Sequence, residues 1–187
     1  MIPFVHLHVH SYYSLLDGQA SISRLVDKAM ADGMRGMALT DHGNMMGIKD
    51  FFNYVSKKKG GAAKDKKAAE AKLAALRDGS YQNAPDEKGV NPDAGKTNEE
   101  LIAECEKKIE KAQRILDFKP IFGCEMYCAR RTKADKKTKE DRSGWHLVVL
   151  AKNETGYHNL VKLVSRSWID GFYMKPRTDK ADLEQFK

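Results

Sequence analysis

The residues His6-Leu7-His8-Val9-His10-Ser11 place three imidazoles at alternate positions of one short segment. Alternate residues of a β-strand share a face, so we expect a strand over Phe4–His8 with these rings at or just beyond its end. Three imidazoles on one face are costly unless they bind a cation, and neutral imidazole is a common ligand for zinc and iron. The stretch predicts a metal site; the alternative is a strand whose polar face happens to be rich in histidine.

Further metal-ligating side chains follow along the chain, each beside a turn or an apolar strand. They are Asp17 after a predicted turn, Asp41 and His42 after the strand Gly36–Thr40, Glu125 within the strand Ile121–Ala129, and His146 near the start of the strand Trp145–Ala151. Alone, each could be a turn aspartate or a satisfied core histidine. Together they exceed the needs of one tetrahedral ion. We therefore predict a multinuclear site, which suits the hydrolysis of phosphate esters.

The order of the elements predicts an α/β protein. Helices near Ile22–Met30, Ile48–Val55 and Glu154–Ile169 alternate with the strands, which favours a parallel sheet or an α/β barrel with its ligands at the carboxyl ends of strands. The chain of 187 residues is long enough for one domain with a core. A closed barrel needs more strands than we count in the sequence.

The segment 57–117 interrupts this alternation. It holds 14 Lys and Arg residues against 12 Asp and Glu residues. Ala62–Leu76 favours a helix, Gly79–Gly95 reads as a loop, and Thr97 followed by Glu100 predicts a capping box for a second helix. We expect a charged helical insertion, either a solvated helical pair or a nucleic-acid arm, and the near balance of charge favours the former.

The net charge of +7 is compatible with a polyanionic partner, and the loop Arg130–Arg142 carries seven basic and three acidic residues. Contact with nucleic acid and plain solvation of this loop remain equal alternatives. The three cysteines, with no signal peptide and no apolar stretch of membrane-spanning length, predict a cytoplasmic chain with reduced thiols.

The motifs resemble those of a known family. His8-Val9-His10-Ser11, Thr40-Asp41-His42-Gly43, Gly123-Cys124-Glu125 and His146-Leu147 are similar, in this order, to the motifs of the PHP (polymerase and histidinol phosphatase) superfamily. The sequences at Ser14–Gly18, Lys119–Tyr127 and Gly171–Tyr173 resemble still more closely the PHP domain that begins the alpha subunits of bacterial replicative DNA polymerases. The resemblance covers nearly the whole chain except the segment 57–117.

The resemblance implies a distorted (β/α)7 TIM-like barrel with up to three divalent metal ions, such as zinc, manganese or iron, at one end. Matched position by position, the implied ligands are His8, His10, Asp17, His42, Glu125 and His146, and Asp41 is a candidate catalytic residue. Members of the family have further ligands in later strands. We therefore expect residues 1–187 to form a partial PHP domain, truncated at its carboxyl side, with an incomplete metal set.

The resemblance also implies a parent protein that is a DNA polymerase, a nucleotidyltransferase. The domain would then supply 3′–5′ exonuclease activity for proofreading or structural support, and Arg130, Arg131, Lys175 and Arg177 could face DNA phosphates. Implied partners are DNA, the rest of the polymerase chain, a proofreading subunit and a sliding clamp. The alternative is a standalone phosphatase of the histidinol phosphatase type, which the sequence at Ser14–Gly18 disfavours.

Overall fold

The computed structural model describes residues 4–85, 91–142 and 144–187. Its elements, in chain order, are α1 (Ile22–Ala31), β1 (Gly36–Leu39), α2 (Ile48–Asp78), α3 (Asn98–Asp117), β2 (Lys119–Ala129), a short 3₁₀ helix (Glu140–Arg142), β3 (Gly144–Leu150), α4 (Glu154–Ile169), β4 (Arg177–Thr178) and α5 (Lys180–Gln185). The α/β class predicted from the sequence is confirmed. In the described parts of the chain, none of these helices combines the length and apolarity that crossing a bilayer requires.

Strand β2 is the centre of the sheet. Its first four residues pair in parallel with β1, from Gly36 opposite Lys119 to Leu39 opposite Phe122. Its remaining residues pair antiparallel with β3, and the end of β2 also pairs in parallel with β4. The antiparallel strand β3 is an exception to the parallel pairing that the order of the elements favoured. The described part of the β2–β3 connection holds no α-helix to cross over the sheet, so the chain returns in the opposite direction.

The predicted strand Phe4–His8 is not a regular strand. His6 makes a single parallel bridge with Met37. The carbonyls of His6 and Val9 accept hydrogen bonds from the N–H groups of Ala38 and Thr40, at 2.8 and 2.9 Å. Acceptors three residues apart thus face donors two residues apart. One extra residue in the amino-terminal segment breaks the ladder, as in a β-bulge.

Helix α4 covers one face of β2 and provides most of the core beside it. Leu160, Leu163 and Val164 pack against Cys124 and Met126, all of them buried. Two other apolar side chains of this helix, Val161 and Trp168, are 38% and 46% exposed. The helix begins at Asn153, whose side chain accepts a hydrogen bond from the N–H of Gly156.

The chain divides into two compact units, one of residues 1–55 and 119–187 and one of residues 56–118. Within the second unit, Leu76, Leu101 and Cys105 form a buried apolar cluster. Helix α3 begins at the predicted capping box, in which the side chains of Thr97 and Glu100 each bond the backbone of the other residue. Of the predicted loop Gly79–Gly95, residues 86–90 lie outside the described residues.

Helix α2 is longer than we predicted. The separate helices expected near Ile48–Val55 and Ala62–Leu76 are one helix of 31 residues, which continues through Gly60 and Gly61. A glycine inside a helix costs about 1 kcal/mol relative to alanine. The lysines and alanines around this pair are strong helix formers, and their combined preference outweighs the two glycines.

Candidate metal centre

The candidate site is built around one buried carboxylate. Glu125 lies on β2 and is only 5% exposed. Its Oε2 atom is 3.0 Å from His10 Nε2, 3.5 Å from His8 Nε2 and 3.7 Å from His42 Nε2. Its Oε1 atom is 3.2 Å from His146 Nδ1. The structure thus gathers four of the histidines singled out from the sequence around both oxygens of a single side chain.

These five side chains form two groups that could each hold a metal ion. His8, His10 and Glu125 make one group, and His42, Glu125 and His146 make the other. In each group the ligand atoms lie within 4.8 Å of one another. Glu125 belongs to both groups, so its carboxylate would contribute a ligand to an ion held by either of them. The donors are imidazole nitrogens and carboxylate oxygens, a set that suits zinc, manganese and iron.

Backbone pairing brings these ligands together. The amino-terminal segment lies beside β1 because the N–H of Val9 donates to Thr40 Oγ1 at 2.9 Å. His42 follows β1 and forms a parallel bridge with Glu125, and the N–H of Gly43 donates to the carbonyl of Glu125 at 2.7 Å. Both residues therefore lie where β1 ends beside β2. His146 comes from the adjacent antiparallel strand.

Asp41, the candidate catalytic residue, lies in neither group and is 2% exposed. Its Oδ1 atom accepts hydrogen bonds from the N–H of Ser11 at 2.7 Å and from the hydroxyl of Ser14 at 2.8 Å. The Ser11 hydroxyl reaches Oδ2 at 2.9 Å. The Ser14 oxygen in turn accepts the N–H of His42 at 2.9 Å. Asp41 therefore holds the turn that follows His10 against the end of β1.

Asp17, predicted as a ligand, also lies outside both groups. Its Oδ2 atom is 2.8 Å from His42 Nδ1, and this hydrogen bond lowers the pKa of Asp17. When Nδ1 donates its proton to the carboxylate, His42 Nε2 carries a lone pair. That atom is buried, faces Glu125 and has no hydrogen-bond partner. A buried lone pair beside a buried carboxylate is unfavourable without a cation, so the residues present fit a metal ion.

Tyr127 belongs to the site but was missed in the sequence. Its ring stacks on His42 with centroids 4.3 Å apart, and its hydroxyl is 3.4 Å from His42 Nδ1. The Nζ atom of Lys175 lies 5.2 Å from the centre of the same ring. Strand alternation could have found Tyr127, since it is two residues beyond Glu125 and shares its face.

His6 does not join the cluster. It lies in neither group, and its ring meets the edge of Phe4 with centroids 4.7 Å apart. The extra residue between His6 and Val9 offers a physical reason. It interrupts the alternation that would otherwise have placed His6 on the same face as the ligands.

Arg177, proposed from the sequence as a DNA contact, is enclosed by protein atoms. It is 1% exposed, and its guanidinium donates to the carbonyls of Lys133, Asp135, Asp141 and Gly171. Burial lowers the pKa of Arg177. An arginine has five N–H donors in a fixed fork, and here four backbone oxygens accept hydrogen bonds from four of them. The residue closes the loop 130–142 onto the segment that precedes β4.

The other three basic candidates remain accessible to different degrees. Arg131 pairs with Asp141 through two hydrogen bonds of 2.8 and 3.0 Å, yet its side chain is 57% exposed. The guanidinium of Arg130 lies 4.6 Å from the centre of the Trp145 ring. Of the three, Lys175 is the one in contact with a site residue, Tyr127.

The model of the PHP domain family matches residues 6–187. The chain therefore belongs to the PHP domain family.

DNA polymerase III alpha subunits are among the similar curated proteins. The subunit of Borreliella burgdorferi is 36% identical over 184 residues, which cover 98% of this chain and 11% of that protein. The Treponema pallidum subunit is 36% identical over 183 residues (97% and 11%), and the Thermus aquaticus subunit is 30% identical over 188 residues (98% and 11%). The chain thus spans about a tenth of the length of these relatives and is homologous to that part of them.

Proposed function

We propose that residues 1–187 form a partial PHP domain of a bacterial DNA polymerase III alpha subunit, with a metal-dependent phosphodiesterase site that acts on the 3′ end of DNA. The similarity to alpha subunits over 97–98% of the chain supports the placement. DNA and the remainder of the polymerase chain are the partners that this placement implies. A standalone histidinol-type phosphatase is disfavoured, because the relatives are about nine times longer than this chain.

Within that domain, we propose that the segment 57–117 is a helical insertion. Strands β1 and β2 are neighbours in the sheet, although the chain between them contains all of α2 and α3. Residues 56–118 form a compact unit with its own buried cluster. An insertion that packs on itself leaves the pairing of the two strands unchanged, and this supports the assignment.

The arrangement around Glu125 carries the proposal. Four imidazoles point nitrogen atoms at one buried carboxylate, and one of those atoms, His42 Nε2, is buried without a partner. His8, His10, Glu125, His42 and His146 would hold the ions. Metal ions bound here would lower the pKa of a coordinated water and offset negative charge on a phosphoryl group.

Residues beside the ligands have supporting roles. Asp17 holds the proton on His42 Nδ1 and so keeps Nε2 available as a ligand. Asp41 fixes the turn between His10 and Asp17 through the two serine hydroxyls. Lys175, one of the DNA candidates, lies over the ring of Tyr127 and would meet a phosphate of the substrate.

A structural role without hydrolysis is the second candidate. The five ligands come from the amino-terminal segment, from the end of β1 and from two further strands, so bound metal would tie four stretches of chain together. In this case the metal would stabilise the domain, and no phosphodiester bond would be cleaved.

Elemental analysis and a nuclease assay on the intact polypeptide separate these candidates. Wild type, His10→Ala and Glu125→Gln are purified in parallel and incubated with single-stranded DNA labelled at its 5′ end. His158→Ala is the matched control, since His158 is 62% exposed on α4 and belongs to neither metal group. We expect wild type and His158→Ala to contain divalent metal and to shorten DNA from the 3′ end, and both site variants to lose metal and activity.

Each result has a distinct meaning. Metal in the wild type together with hydrolysis that persists unchanged in His10→Ala and Glu125→Gln would assign the activity to another site or to a contaminant. Metal without hydrolysis, together with a lower melting temperature in the site variants, would support the structural role. Absence of metal from the wild type would refute both candidates.

A further inference from the structure

Two aromatic side chains lie exposed and stacked on each other. The rings of Trp168 and Phe172 have centroids 5.6 Å apart and an angle of 17° between their planes. Each residue is 46% exposed. Trp168 lies in the last turn of α4, and Phe172 follows in the segment 171–176 that leads to β4. Parallel rings with an open face present a flat apolar surface.

A hydrogen bond ties this pair to the candidate metal centre. The indole Nε1–H of Trp168 donates to the carbonyl of Gly43 at 2.8 Å. Gly43 directly follows His42, and its own N–H bonds the carbonyl of Glu125. The indole plane is therefore fixed against the backbone that carries two of the ligands, rather than free to rotate in solvent.

The segment 171–176 is also held in place. Arg177 donates to the carbonyl of Gly171 and lies over the ring of Tyr173 at 5.5 Å. The N–H of Tyr173 donates to the carbonyl of Lys175 at 3.0 Å, which forms a tight turn with Met174 at its tip. Met174 has a positive φ of 62° and is 65% exposed. Its backbone is the left-handed form that a residue with a side chain rarely adopts.

The two ends of this segment differ in character. Phe172 stacks on Trp168, whereas Lys175 lies over Tyr127, which in turn stacks on His42. An apolar ring surface and a cation are thus held within four residues of sequence, beside a centre suited to phosphoester chemistry. Aromatic faces for bases and basic groups for the backbone are the combination with which proteins bind single-stranded nucleic acid.

We propose that Trp168 and Phe172 form a platform on which an unpaired base stacks, while Lys175 meets the phosphate next to it. This inference rests on the proposed function and names how its substrate is held: as a single strand with a splayed base near its 3′ end. Stacking is sequence-tolerant, because every base has a flat face. We therefore expect the site to accept all four bases and to disfavour blunt duplex ends.

Photochemical crosslinking on the intact polypeptide tests the platform directly. A single-stranded oligonucleotide with 5-iododeoxyuridine at its 3′-terminal position is irradiated with the protein in a chelating buffer, so that no hydrolysis occurs. Peptide mapping should place the adduct on Trp168 or Phe172. The adduct should disappear in Trp168→Ala and persist in Phe52→Ala, a control at a residue that is 47% exposed and lies on α2.

Kinetics provide the second measurement. Loss of one stacking ring should raise KM for single-stranded DNA by about five- to hundredfold, with a smaller effect on kcat. Trp168→Phe keeps a ring but not the N–H, so its effect should be smaller than that of Trp168→Ala. A comparison of melting temperatures identifies any variant that fails to fold.

The two hypotheses can fail separately. Adducts on Trp168 or Phe172 in a wild-type protein that does not hydrolyse single-stranded DNA would support the platform and contradict the proposed activity. Hydrolysis that depends on Glu125, with adducts elsewhere and unchanged KM in Trp168→Ala, would overturn the platform and leave the activity intact. Loss of a protein partner in Trp168→Ala without any adduct in the wild type would also overturn it, because the surface would then bind protein.

Discussion

Replacing Arg177 with alanine should destabilise the domain far more than removing an exposed arginine. The Nε atom of Arg177 is 3.1 Å from the carbonyl oxygen of Gly171, and Nη1 is 3.0 Å from that of Asp135 and 2.7 Å from that of Asp141. Nη2 is 2.8 Å from the carbonyl oxygen of Lys133. Alanine would leave these four acceptors without their donor.

The size of the effect follows from these bonds. A hydrogen bond from a charged group contributes about 1.5–3 kcal/mol, so four would sum to about 6–12 kcal/mol if nothing replaced them. Water that enters the vacated space would satisfy part of the carbonyls. We expect a net loss of about 3–5 kcal/mol, the usual range when one partner of a buried charged contact is removed. At about 2–4 °C per kcal/mol, the melting temperature should fall by about 6–20 °C.

Calorimetry on the intact polypeptide is the assay, with Arg130→Ala as the control. The contact of Arg130 with the ring of Trp145 is worth about 0.5–1 kcal/mol at an exposed site, so this variant should melt within about 4 °C of wild type. Arg177→Lys keeps the charge but cannot reach four carbonyls, and it should fall between wild type and Arg177→Ala. If Arg177→Ala melts no lower than Arg130→Ala, the structural role assigned to Arg177 is wrong.

Three further changes probe other parts of the domain. Asp41→Asn replaces an acceptor of several hydrogen bonds and should lower stability by about 1–3 kcal/mol; an unchanged urea midpoint would contradict the role given to Asp41. Hydrogen bonds from Arg131 and from the backbone hold the pKa of Asp141 well below its usual range. The ionised carboxylate therefore stabilises the folded domain above about pH 4, which is its pKa in the unfolded chain. This stabilisation is lost as the pH falls through the lower pKa of the folded state. Asp141→Asn should therefore lower the melting temperature at pH 7 and make it less dependent on pH in acid. Parallel curves of melting temperature against pH for the variant and the wild type would argue against the pairing of Asp141 with Arg131. Thr97→Ala removes the cap of α3 and should cost about 1 kcal/mol, measured as faster amide exchange in its first turn; equal exchange rates would count against the capping box.

The parts of the fold with a local chemical signal were predictable. The capping box of α3 is where the sequence indicated it, and β2 and β3 begin within two residues of their predicted starts. Elements without such a signal were missed. Strand β4 has two residues, too few to show alternation, and α5 has six. Helix α2 was predicted as two helices because the composition changes near Lys57, whereas the structure has one helix through that change.

For the candidate site, residue type and position at strand ends predicted which side chains would gather, but not what each one contacts. Arg131 and Arg177 are the same residue type, yet one side chain is half exposed and the other is enclosed by carbonyls. That difference depends on the path of the loop 130–142, which has no periodic pattern to read. Likewise, the residues next to Asp17 and Asp41 in the sequence do not indicate what each carboxylate contacts. Only the folded turn shows that Asp17 contacts an imidazole and that Asp41 contacts two serines.

The position of His146 beside Glu125 depends on the antiparallel direction of β3. Parallel strands end at the same edge of a sheet, so a histidine at the start of a parallel strand would lie at the edge opposite the other ligands. His146 is the third residue of β3 and therefore lies near the start of its strand. Because β3 runs antiparallel to β2, His146 lies opposite Tyr127, two residues beyond Glu125 and on the same face. The antiparallel direction of β3 therefore brings His146, a candidate ligand, to the edge of the sheet where β1 ends, and a parallel β3 would have placed it away from Glu125.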